Sequence, residues 1–222
     1  MEKGAVLHIS PNSFGHTGLT SPQNRINFFE SLGVDGSSVV SMHLTHTNNV
    51  QVVGADDGGK VFENTDGLVT NSKGIYLALP VGDCLPIMAY DPKGKSIGIF
   101  HAGWRGLENK IIFNGIKAME DNFGAKADDI KIKLGACICQ NHFEVKDDVF
   151  SKFTEYKSAQ KEVGGKKFLD LRKIIVVQLL HIGIQLKNIE IDSRCTLEDT
   201  ELFSHRGGNF ERNLYLLTLD RV

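Results

Sequence analysis

The chain has 222 residues, 41% of them hydrophobic and 23% charged, with 25 lysines and arginines against 27 aspartates and glutamates. Those are globular proportions. They exclude disorder, collagen-like repeats and a small disulfide scaffold, and a chain this long buries roughly 70% of its extended surface without staples. A net charge of −2 gives no electrostatic footprint for nucleic acid or for an anionic membrane surface.

Met1-Glu2-Lys3-Gly4-Ala5-Val6 is not followed by an apolar stretch of signal-peptide length. Residues 10–22 and 54–60 read as loops. Between them, residues 38–46 alternate like a half-buried strand, with Val40, Met42, Leu44 and His46 on one face. Further strands are predicted over 74–79 and 96–101, and in the latter Ile97, Ile99 and His101 share a face. After Gly106 the period becomes helical, through Leu107, Ile111, Ile112, Ile116, Met119 and Phe123, with Gly124 as the stop. Ile130, Ile132 and Leu134 alternate with lysines as another strand. Asp170 caps a helix over 171–183, and strands follow near Ile189 and over 214–219. The longest apolar segment, 174–184, is broken by Gln178 and His181 and is too short to span a bilayer. The expectation is one compact α/β (α+β) domain over 1–222, built around a mixed sheet flanked by helices, in a soluble cytoplasmic protein with no obligate protein partner.

Cys84, Cys137, Cys139 and Cys195 are too sparse for a disulfide framework, and the absence of Cys-x-x-Cys excludes zinc ribbons and thioredoxin-like redox motifs. His46 and His101 sit on apolar strand faces, where an imidazole needs a partner or a metal. Cys84 lies in a turn after an apolar strand. Two imidazoles and a thiolate suit zinc, with a fourth position left for water or substrate. On spacing alone, satisfied core histidines and an inert thiol are the preferred explanation, because the intervals match no local metal signature. Gly103-Trp104-Arg105-Gly106 lies between a strand and a helix and reads either as an anion site, with Arg105 contacting phosphate or carboxylate, or as a packed turn. Asp83 is either an acceptor that orients a histidine or a turn cap, and Cys137 reads as a buried structural cysteine.

Asp83-Cys84-Leu85-Pro86, Phe100-His101-Ala102-Gly103-Trp104-Arg105-Gly106 and Gly135-Ala136-Cys137-Ile138, in that order, resemble the multicopper polyphenol oxidoreductase (laccase-domain) family. That family is related to the peptidoglycan editing factor and the laccase-domain purine nucleoside phosphorylase. Similar segments are Asn24-Arg25, Thr65-Asp66-Gly67-Leu68-Val69-Thr70, Phe143-Glu144-Val145, Phe168-Leu169-Asp170-Leu171 and Cys195-Thr196 leading to Phe203-Ser204-His205-Arg206, so the likeness runs from about 24 to 219. The chain departs from the family before Asn24, at Ala136 where proline is usual, and at Ser204-His205-Arg206-Gly207 where Ser-Tyr-Arg-Arg is usual.

The resemblance implies a zinc site made by His46, Cys84 and His101, with Arg25 beside it binding phosphate or substrate. It implies phosphorolysis of adenosine, inosine and methylthioadenosine, with some adenosine deamination. A cytoplasmic amidase editing peptidoglycan precursors and a copper-dependent polyphenol oxidase (laccase) are the alternatives within this resemblance; a metal- or nucleoside-binding protein without turnover is a third. Copper can displace zinc at N/S donors. However, eight histidines with no His-x-His do not supply a multicopper cluster, and no His-x-Glu with Pro-Cys-x-x-Cys marks a cytidine-deaminase-type site.

Overall fold

The structure, a computed structural model, describes residues 4–220; Met1 to Lys3, which carry part of the N-terminal reading, lie outside the described residues. Its strands fall into three sheets. The first runs β1 (Ala5–Ile9), β14 (Asn213–Leu219), β6 (Tyr76–Val81), β2 (Val39–Met42) and β4 (Val61–Phe62). The second runs β13 (Ile189–Ile191), β9 (Lys131–Leu134), β7 (Leu85–Asp91), β8 (Ser96–Ala102), β5 (Gly67–Thr70) and β3 (Val50–Val52). Both are mixed, the second being antiparallel at its centre and parallel at its margins. A small antiparallel sheet joins β10 (Glu144–Val145), β12 (Lys166–Leu169) and β11 (Gln160–Val163). The helices are α1 (Pro22–Ser31), α2 (Trp104–Glu108), α3 (Ile111–Phe123), α4 (Asp147–Phe150) and α5 (Leu171–His181).

The two large sheets stack face to face between helical layers, and the period-2 alternation of side chains assigns each layer. Along β8, Ile97 and Ile99 pack towards Leu77, Leu79 and Tyr215 of the first sheet. Phe100 and Ala102 point the other way, to Ile112, Ile116 and Met119 of α3 and to Ile174 and Leu179 of α5. The outer face of the first sheet, with Ala78, Leu214 and Leu216, is covered by Phe28 and Phe29 of α1. With both faces covered, β6, β7 and β8 are apolar almost throughout. Gly115 lets α3 lie close on β8, because a Cβ there would stand 2.4 Å from Cε1 of Phe100.

The predicted strand over 38–46 is shorter in the structure. It ends at Met42, and His43 to His46 leave the sheet as a loop. The predicted helix after Gly106 is two helices, α2 and α3, broken at Lys110 with φ 56°. Gly124 ends α3 in the left-handed conformation at φ 67°, and Asp170 caps α5 by accepting from the Lys173 N–H at 3.1 Å, both as predicted. Strand β7 carries no sequence signal of its own, because a continuous apolar run has no period to detect. No helix among the described residues is long and apolar enough to cross a membrane.

Candidate active site

The site lies at one rim of the layer between the two large sheets. Cys84 sits where the chain crosses from β6 in one sheet to β7 in the other, through a tight turn with Asp83 at φ 73°. His101 is the penultimate residue of β8, buried on the face that Ile97 and Ile99 also present. His46 comes from the loop after β2, exposed and at φ 61° rather than on a strand. The donor atoms of His46, Cys84 and His101 all lie within 4.8 Å of one another. The two imidazoles meet edge to face, 81° apart with centroids separated by 4.9 Å. Gly103 closes the cluster from below: a Cβ there would come within 3.0 Å of Cys84 Sγ and 3.3 Å of His46 Cδ2.

Asp66, buried without solvent contact, organises both histidines. Its Oδ1 accepts from His101 Nδ1 at 2.8 Å and from the His46 backbone N–H at 3.1 Å. Its Oδ2 accepts from the Thr47 N–H at 2.7 Å and the Thr47 hydroxyl at 2.8 Å. The backbone thereby bends into the turn that presents His46, and the His101 ring is held with Nε2 free for the cluster. Burial by itself would raise the Asp66 pKa, but the hydrogen bonds from His101 and Thr47 outweigh it and hold the carboxyl at about 2. Burial likewise opposes ionisation of Cys84, yet the charge and hydrogen bonds of His101 and His46 bring its thiol down to about 6. His101 is displaced the other way. Burial lowers it, while the Cys84 thiolate and Asp66 raise it to about 9. Two imidazole nitrogens and a thiol shifted towards thiolate fit a borderline-soft divalent metal ion.

Asp83 does not orient either histidine, as one sequence reading had it. Its carboxylate is taken by the hydroxyls of Thr196 at 2.6 Å and Ser204 at 2.7 Å and by the Arg206 N–H at 2.6 Å. These bonds pin the turn that carries Cys84. Cys137 is buried, and desolvation pushes its thiol far above its ordinary range, as befits a structural cysteine.

A cavity of about 440 Å³ opens above the three donors; His16, His43, His205, Phe210 and Arg212 line its walls. Phe210 is 85% exposed, an aromatic face held out at the rim. Arg25 is not in this cavity. It lines a neighbouring one of about 340 Å³, with Leu19 forming part of both walls. Its Nη2 donates to Ser41 Oγ at 2.6 Å, its guanidinium lies over Phe29 at 5.5 Å, and its buried Nη1 has no hydrogen-bond partner. Burial lowers its pKa to about 10. Arg105 is exposed on α2 and stacks on Trp104 at 4.2 Å, and it does not line the cavity. Asp66, Phe210 and Arg212 were not among the sequence-derived candidates. For Asp66 the available signal was an ionisable residue placed directly before an apolar strand.

The model of the multi-copper polyphenol oxidoreductase laccase family matches residues 19–217. A purine nucleoside phosphorylase of Corynebacterium glutamicum is 36% identical over 187 residues, covering 82% of this chain and 74% of that protein. An adenosine deaminase, RL5, from an unknown prokaryotic organism is 31% identical over 196 residues, covering 82% and 74%. The crystal structure of YlmD from Geobacillus stearothermophilus superimposes with a TM-score of 0.91 at 25% identity, covering 98% of this chain and 93% of that one.

Proposed function

The chain belongs to the multi-copper polyphenol oxidoreductase laccase family, and from that premise we propose that it is a zinc-dependent purine nucleoside phosphorylase. Its substrates are adenosine, inosine and methylthioadenosine, with phosphate as the second substrate. The observation that carries this reading is the convergence of His46, Cys84 and His101 at the floor of a nucleoside-sized cavity. Relatives named purine nucleoside phosphorylases support it.

In this reading His46, Cys84 and His101 hold the zinc, which when bound supplies a Lewis acid facing the cavity. Asp66 keeps the His101 ring in the tautomer that offers Nε2. Phe210 offers a flat surface for the purine to stack against. Arg25, a buried guanidinium with an unpartnered N–H beside the Ser41 hydroxyl and the Phe29 ring, binds phosphate where its own cavity adjoins the nucleoside cavity at Leu19, since a buried charge of this kind calls for an anion. A phosphate oxygen then forms a bond to C1′ as the bond from C1′ to the base nitrogen breaks. The base leaves with the electron pair, and the proton of hydrogen phosphate completes it. A stacked cationic Arg105 at the outer surface contributes to attracting the anion rather than to holding it.

The test incubates zinc-replete protein with adenosine and with inosine, with and without phosphate, and separates products by chromatography. Free base together with ribose 1-phosphate, only when phosphate is present, is the expected result. Base release independent of phosphate, or none at all, refutes it. Arg25→Ala is expected to raise the KM for phosphate at least tenfold, and an unchanged value removes Arg25 from the mechanism. The similarity to an adenosine deaminase favours one second activity, conversion of adenosine to inosine, which the same chromatogram reads.

A further inference from the structure

A second group of metal-ligating side chains lies apart from the first: Cys139, His142, Cys195 and Glu198, whose donor atoms are all within 4.8 Å of one another. Cys139 Sγ is 3.3 Å and Cys195 Sγ 3.6 Å from His142 Nδ1. Glu198 Oε1 is 3.4 Å from His142 Nδ1 and 3.9 Å from Cys139 Sγ. Metal–sulfur bonds near 2.3 Å and metal–nitrogen or –oxygen bonds near 2.1 Å, at tetrahedral angles, put ligand atoms about 3.4–3.8 Å apart. The four measured separations fall around those edges.

The backbone is arranged for the same purpose. Each pair of ligands is spaced i, i+3 and closed by a turn: the His142 N–H donates to Cys139 O at 3.1 Å, and the Glu198 N–H donates to Cys195 O at 3.1 Å. An amide donor is directed at one of the sulfurs: Cys195 Sγ accepts from the Cys139 N–H at 3.2 Å. Amides donating to thiolates are a feature of metal-bound cysteines, because they stabilise negative sulfur.

We propose that Cys139, His142, Cys195 and Glu198 form a second, structural zinc site. Four protein ligands close the coordination sphere and leave no position for substrate. The ion would staple the loop after β9 to the loop after β13, which otherwise meet through the isolated bridge between Cys137 and Cys195. Thr196, adjacent to a ligand, donates to Asp83 at 2.6 Å, so the staple also steadies the turn that carries Cys84. The proposal does not depend on the phosphorylase reading.

Metal content decides it. Wild-type protein, His46→Ala, and His46→Ala combined with His142→Ala are loaded with zinc, freed of loose metal by gel filtration and measured by mass spectrometry. Circular dichroism checks the fold, and Glu198→Gln serves as a milder second variant. The expected result is about one zinc per chain in His46→Ala and close to none in the double variant, with zinc affinity weakened at least tenfold by Glu198→Gln. Cobalt added to His46→Ala is expected to give a thiolate charge-transfer band, and thiol titration to find all four cysteines free after metal removal. Loss of all zinc in His46→Ala, or a disulfide joining Cys139 and Cys195 in the protein as purified, overturns the proposal.

Discussion

A carboxylate without solvent contact is stable only when donors surround it, and Asp66 has five, four of them from Thr45, His46 and Thr47 and one from His101. Its loss therefore acts on both histidines together. Asp66→Asn is expected to weaken zinc binding about 10- to 100-fold, as measured by competition with a chelating dye. The carboxyl is held at about 2 against an ordinary 3.8. It contributes stability that is complete above its unfolded value and is lost as pH falls through about 2. Acid titration followed by circular dichroism should show that loss between about pH 4 and 2 in the wild type and a shallower one in Asp66→Asn. Cys84→Ser is expected to abolish metal-dependent turnover while leaving the thermal midpoint of the metal-free protein almost unchanged, since it swaps one small half-buried group for another at the cavity floor. Phe210→Ala, which removes an exposed ring, should raise the KM for nucleoside about tenfold, an effect of about 1.4 kcal/mol within the range for stacking of a base on an aromatic ring.

At the scale of elements, α3 is seated by an exchange of volume: Gly115 gives up a side chain so that the buried ring of Phe100 can occupy the space. Gly115→Ala should destabilise the protein by about 1–3 kcal/mol through overpacking, measured by urea unfolding, despite the better helix propensity of alanine. The periodicity that predicted one helix after Gly106 was correct about the buried face and silent about the break. Leu107 of α2 and Ile111, Ile112, Ile116 and Met119 of α3 enter the same core, so the apolar pattern continues across a left-handed Lys110 that interrupts the hydrogen bonds. The strand over 38–46 failed for the opposite reason. Its alternation continues to His46, but the capture of three successive backbone N–H groups by Asp66 ends the extended conformation early.

Across the whole molecule, the two ends of the described chain are laced together: all five residues of β1 pair with β14, from Ala5 with Leu219 to Ile9 with Tyr215. Deleting residues 1–9 would leave β14 as an apolar edge strand. The expected outcome is a thermal midpoint lower by several degrees and concentration-dependent association, read by light scattering, because an unpaired apolar edge templates further strands. The cavity draws on the same closure, with His16 from early in the chain and Phe210 and Arg212 from just before β14 forming its walls.

What the sequence by itself determined is local in origin. Strand β8 with His101 on its inward face, the alternation of β9, the caps at Asp170 and Gly124, and the motifs around Cys84 and His101 all follow from side-chain period and turn chemistry within a few residues. The alternation over 38–46 singled out His46, the family resemblance grouped it with Cys84 and His101, and the fold brings the three donors within 4.8 Å. Only the tertiary structure decided which carboxylate holds the histidines, that Asp83 serves Thr196 and Ser204 instead, that Arg25 and Arg105 stand outside the cavity, and that Cys139 meets Cys195. The reason is physical. Each of these contacts joins loops far apart in the chain, whose separation is set by how two sheets stack and where the chain crosses between them, and no local period encodes that distance.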